Sequence, residues 1–419
     1  MLDETQNQFS LTRAALSTCG RAKNQILISF FAMAAPLLAN AANITWTNTA
    51  GGNWNVPANW KPNQVPGAAD TALITTAGSY DVSVTDSESV SNLVLGASSG
   101  TLTLSILGGS FTVNGTGSDS AQTALAISGG AVNGTGSIVA GGPLTWSGGS
   151  IYNTVQFNGG TQSGGLNLYG GNLVNSGAFA WNGQIFFYPG SQLSNLVSGI
   201  ITFASGAQAN SEGGINNLDN EGQFNVVGPG TDYVTTPFNN NGVVTINGGT
   251  LQLSGGESLA GGTLIFGITN TSSFGALNLS GSVTLTGALG VTLHGYTPQV
   301  GDSFPLITYG SKSGAFTGFN LPSGINWQQT YGSTIYKLSV GLPLNFGLAV
   351  GQPAWTASGF NLAISGPVGS NYTVFVTTNL AQNNWSALSN FVSVFTSTAL
   401  TDTGATKSGT NRFYRLYLH

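Results

Sequence analysis

One short phrase recurs along the middle of the chain: apolar residues alternate with polar ones, a glycine pair follows, and an apolar residue returns two places later. It reads Leu104-Ser-Ile106-Leu-Gly108-Gly109-Ser-Phe111, then Leu125-Ala-Ile127-Ser-Gly129-Gly130-Ala-Val132, then Leu144-Thr-Trp146-Ser-Gly148-Gly149-Ser-Ile151. Leu166-Asn-Leu168-Tyr-Gly170-Gly171-Asn-Leu173 and Val244-Thr-Ile246-Asn-Gly248-Gly249-Thr-Leu251 complete the set. The first four pairs start at Gly108, Gly129, Gly148 and Gly170, which is 21, 19 and 22 residues apart. Alternation at period two means strand. A rhythm of about 20 residues, built from short strands and glycine turns, is what one coil of a β-solenoid needs. Each coil turns its apolar residues inward, glycine lets the chain bend sharply between faces, and stacked coils pair their backbones along the axis.

The fold expected is therefore all-β: a parallel β-helix of about 20-residue coils over 85–340, followed by a small β-sandwich over 354–419. Roughly a dozen coils stacked ~4.8 Å apart would make a rod about 60 Å long. The competing arrangement is an antiparallel sandwich or barrel in which each Gly-Gly or Asn-Gly closes an ordinary hairpin. Against it, a meander of five- or six-residue strands turns at roughly half the observed interval. Beyond Ala41 no apolar stretch recurs at helical spacing over three turns.

Composition supports the coils. Charged residues make up 5% of the 419, yet 41% of the chain is apolar and 62 residues are glycine, which is too apolar for a disordered tract. Like charges stacked in register on successive coils would repel, whereas Asn, Ser and Thr can form hydrogen-bonded ladders that satisfy turn polar groups without charge. The formal net charge is −5 and no Lys or Arg occurs from Pro62 to Ser311. A phosphate-neutralising patch cannot form over that stretch, and a nucleic-acid partner is excluded.

At the N-terminus Arg13, Arg21 and Lys23 precede an apolar run from Ile26 to Leu38, which ends in Ala39-Asn40-Ala41. A basic flank, a run too short for the ~20 residues of a membrane-spanning helix, Pro36 near its end and a small-residue exit are the parts of a cleaved signal peptide over 1–41. The chain is expected to be secreted or held at the outer cell surface, with no transmembrane segment after processing. Cleavage removes Cys19, the one cysteine, so the mature chain has no disulfide and no thiolate metal site. A Trp-rich cap is expected over 42–84, where Trp46, Trp54 and Trp60 cluster ahead of Val65-Pro66-Gly67 and Asp70. An open solenoid end is an aggregation template, and bulky apolar groups with proline would cover it. The alternative for these rings is an exposed platform for stacking sugars. The segment from Leu293 to Val340 reads as closing strands with tight turns, and a linker over 341–353 separates it from the C-terminal strands.

Written as Gly-Asn53-Trp54, Asn59-Trp60, Pro66-Gly67 and Asp70, the opening resembles the start of secreted bacterial β-helical proteins related to autotransporter passengers with autotransporter-associated β-strand repeats. The Gly301-Asp302-Ser-Phe304 to Leu321-Pro322 segment is similar to the region that closes such helices. The last 75 or so residues resemble a small β module that ends exported proteins of the Verrucomicrobia and Planctomycetes group. The resemblance implies an exported, surface-associated β-helical protein and carries over no catalytic residue. The tail after Gly341 is too short for the membrane barrel of a true autotransporter.

Candidate chemistry is sparse. Enzymes built on parallel β-helices need clustered carboxylates and a cation to stabilise developing charge. The acids of the repeat region, Asp119, Glu212, Asp219, Glu221, Asp232 and Glu257, are scattered, and Glu212, Asp219 and Glu221 form the one plausible carboxylate group. Asp219 and Glu221 would share a strand face at i and i+2, with Glu212 one turn away. His294 reads as a lone surface histidine and His419 as the terminal residue, so zinc and nucleophilic chemistry lack parts. Asp402 with Arg412 or Arg415 would make an exposed ion pair, and Trp355 and Trp385 would be core or edge residues of the sandwich unless they lie exposed on one face. The expected function is that of a non-catalytic structural or adhesion-type protein, without catalytic, cofactor-binding or metal-binding residues and without a cofactor. An extracellular polysaccharide or a cell-surface component would be its partner. The alternative is a polysaccharide-active enzyme or carbohydrate-binding protein of the β-helix class.

Overall fold

The computed structural model describes residues 41–120, 123–259, 261–341, 354–365, 371–382, 384–392 and 397–418. The expected signal peptide up to residue 40, the linker from 342 and His419 lie outside the described residues.

The repeated phrase folds as two strands meeting at a glycine corner. Leu104 and Ile106 stand on one strand, Phe111 on the next, and the register carries them onto the following coils: Leu104 pairs with Leu125 and Leu125 with Leu144, while Phe111 pairs with Val132 and Val132 with Ile151. All of these pairings are parallel. A third strand closes each coil, so the chain winds through three faces. Face one runs through Asn43–Trp46, Thr71–Ile74, Asn92–Leu95 and on to Ser311–Gly314. Face two holds the strand before the glycine corner, and face three the strand after it. The result is an all-β chain, 57% strand and 1% helix, with about 10 solenoid turns of ~21 residues each. The antiparallel alternative does not hold, because the repeat region pairs in parallel from coil to coil.

Inward positions form columns along the axis. On face two Ile106, Ile127 and Trp146 succeed one another, then Gln162, Trp181, Phe203 and Val226, and every one of them is fully buried. Gln162 is the exception in chemistry. It occupies a core position between two tryptophans, and its amide is spent on backbone: Nε2 donates to the carbonyls of Gly164 and Gln184, and Oε1 accepts from the Gly183 N–H at 3.0 Å. A buried polar group with its partners supplied is tolerated, and the flanking rings of Trp146 and Trp181 fill the volume that this slim coil leaves.

Asparagines stack in the same way at the corner between faces one and two. Asn175 Nδ2 donates to Asn195 Oδ1 at 2.8 Å, Asn195 to Asn220 at 2.8 Å, and Asn220 to Asn240 at 2.7 Å. All four side chains are buried. Each also donates to the carbonyl of the glycine that ends its corner, Gly177, Gly199, Gly222 or Gly242. The amide, which is both donor and acceptor, is the side chain that can repeat at this spacing without accumulating charge.

At the corner between faces two and three Gly109, Gly130 and Gly149 take φ values of +63°, +65° and +74°. A Cβ on Gly130 would stand 2.6 Å from the Gly108 carbonyl carbon, and one on Gly149 2.6 Å from the Gly130 oxygen. These glycines are needed twice, for the left-handed backbone and for the close approach of stacked coils. The fourth phrase departs from the others. Leu166 and Leu168 lie on face three and Leu173 on face one, so Gly170-Gly171 turns the next corner along. Coils here are shorter than the spacing of the glycine pairs, and the phrase has slipped by one face.

The parallel ladder begins earlier than the boundary at 84 expected for the cap. Asn43–Trp46 already pairs in parallel with Thr71–Ile74. Trp46, Trp54 and Trp60 are buried, with Trp60 edge-on to both others at 5.0 and 4.7 Å and Trp54 against Phe111 at 5.1 Å. They plug the first coils, and no platform of exposed rings exists at this end among the described residues. Asp70 ties the segment, accepting from the N–H groups of Ala42 and Gly67 at 2.9 and 2.8 Å. At the far end Ile335–Val340 pairs antiparallel with both Ser303–Thr308 and Trp327–Tyr331, and this reversal stops the parallel stack.

The C-terminal strands form two three-stranded antiparallel sheets, one ordered Ala354–Thr356, Gly359–Ser365, Ser397–Asp402 and the other Ser386–Val392, Asn371–Thr377, Phe413–Leu418. The ion pair expected to be exposed is not. Asp402 is fully buried and lies 2.7 Å from Arg412 Nε, with Tyr414 Oη donating to Oδ2 at 2.7 Å and the Gly404 N–H to Oδ1 at 2.9 Å. Arg415 takes no part; it lies over the rings of Phe375 and Trp385. The carboxylate is drawn inward because four donors from one loop and one strand converge on it, which short sequence spacing alone does not reveal.

Gly130→Ala is expected to cost at least about 3 kcal/mol, from the positive φ and from overpacking. Gly206→Ala, at φ +85° with no atom near the added carbon, should cost about 1–2 kcal/mol. Asn220→Ala should cost about 2–3 kcal/mol through the acceptors it strands. Urea or thermal unfolding of the three variants checks both the order and the size.

Candidate functional site

The carboxylates named from the sequence resolve into two places. Asp219 stands on Asn217–Asn220 of face one, where Leu218 and Asn220 point inward and Asp219 outward. Its column runs Ser194, Asp219, Asn239 and Ser258 on successive coils. Gln192 Nε2 donates to Asp219 Oδ2 and Asn239 Nδ2 to Oδ1, both at 2.7 Å. Glu221 follows two residues on, beyond the inward Asn220, and lines with Asp219 a shallow depression of about 390 Å³. The wall nearest Glu221 carries Leu196 and Asn241.

Glu212 is not part of it. It lies at the corner leading from face three to face one, where its N–H donates to the Phe187 carbonyl. There it neighbours a column of tyrosines. Tyr152 and Tyr169 stack at 4.7 Å between ring centres, and Tyr169 and Tyr188 at 4.1 Å. The neighbouring Tyr169 hydroxyl raises the Tyr188 phenol above its ordinary range, and burial and the Glu212 charge add to that. Asp219 and Glu221 line one depression, although Glu221 lies past the end of the strand at Asn220, and turn-by-turn distance in the sequence could not show that a loop carries Glu212 to another corner.

Two of the remaining acids, Asp119 and Asp232, accept from backbone N–H groups, and the third, Glu257, does not. Asp119 Oδ2 accepts from the N–H groups of Thr123 and Gly141 at 2.6 and 2.8 Å. Asp232 is buried, and burial raises its carboxyl despite the bond from the Gly206 N–H at 2.6 Å. Glu257 pairs with Phe238 in a column that is otherwise apolar, and its Oε1 has no hydrogen-bond partner among the described residues. Burial raises this carboxyl as well. His294 is exposed, as expected of a lone surface histidine.

The depression can hold polar hydroxyls against Asp219, Asn239 and Glu221. A glycosidic or eliminative mechanism asks for more: a second carboxyl in a contrasting environment, or a cation beside the developing charge. Asp219 receives neutral amides only, and no Lys or Arg occurs in the sequence between Lys61 and Lys312. Among the described residues no three His, Cys, Asp or Glu side chains gather closely enough to hold a metal ion. No protein-family model matches the chain, and no curated protein matches it either.

Glu257 generates a pH prediction. A carboxyl raised by folding binds its proton more tightly in the native state, so its burden on stability is absent below the ordinary carboxylate range and complete above the native value. Glu257→Gln should therefore raise the melting temperature at about pH 7, and the gain should disappear as the pH falls below about 4. Melting curves of both proteins across that interval decide it.

Proposed function

We propose that this chain is a non-catalytic, exported protein of the cell surface or extracellular space, in which the solenoid is a stiff structural or adhesive element. The observation that carries the reading is the use made of the polar side chains. Asn175 to Asn240, Gln162, Asp70 and Asp119 all spend their hydrogen bonds on holding coils and turns, and the acids left outward have no cation beside them among the described residues. A surface built this way resists unfolding and presents repeating polar chemistry, with few and mostly acidic charges, along its length.

Export rests on the basic flank, the short apolar run and the Ala39-Asn40-Ala41 exit of the N-terminal segment. No helix among the described residues is long and apolar enough to cross a membrane. The buried Trp46, Trp54 and Trp60 and the Asp70 anchor give the residues shared with autotransporter-associated repeats a structural task, and a passenger-like β-helical protein is the kind we propose. Its partners would be extracellular polysaccharide or cell-surface components and not nucleic acid. A second reading, a polysaccharide-active or carbohydrate-binding β-helix, is favoured by the Asp219 and Glu221 depression alone.

The purified mature chain, incubated with acidic and neutral polysaccharides in the presence of Ca²⁺, is expected to release no reducing ends or unsaturated products. Robust cleavage that is lost in Asp219→Ala or Glu221→Ala, with folding intact, would establish the second reading instead.

A further inference from the structure

Charge is segregated along this chain. Residues 42–341 carry Lys61, Lys312 and Lys337 against eleven acids, whereas residues 354–418 carry Lys407, Arg412 and Arg415 against Asp402 alone. The C-terminal sheets are thus a basic unit in an acidic protein, and their cations differ in what they do. Arg412 is neutralised by the buried Asp402 and also donates to the Gly404 carbonyl. Arg415 is held over Phe375 and Trp385 at 5.0 and 4.7 Å. Lys407 makes no ion pair among the described residues.

Lys407 stands on a cleft of about 220 Å³ that is also lined by Trp355, Phe360, Tyr414, Thr406 and Asn411. Its lining contains no acid. Trp355 lies on the edge strand directly across from Phe360, whose ring backs it at 5.1 Å, and yet Trp355 stays 40% exposed. Phe360 stacks in turn on Tyr414 at 6.1 Å and 16°, and Tyr414 is pinned by its bond to Asp402. Burial, with that bond and the Asp402 charge adding, pushes the Tyr414 phenol up to about 12, so it remains a neutral donor at all physiological pH. The Phe360 and Tyr414 rings behind Trp355 are thus held by stacking and by the Asp402 bond.

We propose that this cleft binds an anionic sugar, a pyranose ring carrying a carboxylate. An exposed indole supported from behind offers a flat apolar face to the C–H side of a ring, the hydroxyl of Thr406 and the amide of Asn411 match ring hydroxyls, and Lys407 pairs with the carboxylate. The volume falls below the range of about 300–1,000 Å³ usual for drug-sized ligands, which suits one sugar unit of a polymer lying across the surface. An acidic polymer would meet the C-terminal sheets in preference to the solenoid, whose like charge repels it. The inference concerns a site away from the solenoid depression and stands whether or not the solenoid is catalytic.

The test is affinity electrophoresis of the full mature chain through polygalacturonate and through its methyl-esterified form, which removes the charge and keeps the ring. Retardation by polygalacturonate, weakened by salt and weaker on the ester, is expected. Trp355→Ala should reduce affinity by about tenfold or more, with partial recovery in Trp355→Phe. Lys407→Gln, at an exposed position, should reduce it several-fold and flatten the salt dependence. Asp219→Asn should leave it unchanged. Absence of retardation, equal affinity for the ester, or wild-type behaviour of both Trp355→Ala and Lys407→Gln would overturn the site. Loss of binding in Asp219→Asn would move it to the solenoid and overturn it equally.

Discussion

Backbone pairing between successive coils is the constraint from which the rest of this structure follows. Parallel rungs place each residue over its counterpart one turn away, so a side chain must be compatible with a near copy of itself above and below. Apolar residues satisfy that condition inward, as in the Leu104, Leu125 and Leu144 column. Asparagine satisfies it at a buried corner because its amide donates upward and accepts from below. A lysine or glutamate column would not, and this is the physical reason that the repeat region is almost without charge.

The same constraint makes the ends of the stack special. A first rung has no partner beneath it and a last rung none above, and each would invite another chain to pair. Three buried tryptophans and the Asp70 anchor finish one end with bulk. A change of strand direction finishes the other, where Ile335–Val340 runs against Ser303–Thr308. Both ends also use reversed strands: at the first coil Trp60–Lys61 pairs antiparallel with Asn43–Trp46, and at the last the hairpin of Trp327–Tyr331 and Ile335–Val340 folds back.

Charge that the solenoid cannot accommodate in register is handled in three ways. Asp70, Asp119 and Asp232 are drawn onto backbone N–H groups, Asp219 is bracketed by amides of the neighbouring coils, and Glu257 is left against an apolar column. The C-terminal sheets obey other rules. Antiparallel strands of different sequence face one another there, so Asp402, Arg412 and Tyr414 can form a mixed buried network, and a surplus of cations is tolerated.

Much of the architecture was legible in the amino-acid order, because alternation and glycine spacing are local consequences of strand pleat and sharp corners. The all-β class, the coil length, the buried polar ladders and the closing strands with tight turns before Val340 all follow from patterns within one or two turns, whereas the reversal of strand direction there does not. Other features depend on which residues the winding superimposes. The slip of Gly170-Gly171 to a different corner, the core position of Gln162 and the parting of Glu212 from Asp219 arise because coils vary in length, and a loop of a few residues moves everything after it around the axis. The burial of Asp402 and the exposure of Trp355 were likewise decided in three dimensions, since each depends on strands far apart in the chain that meet only when the sheets form.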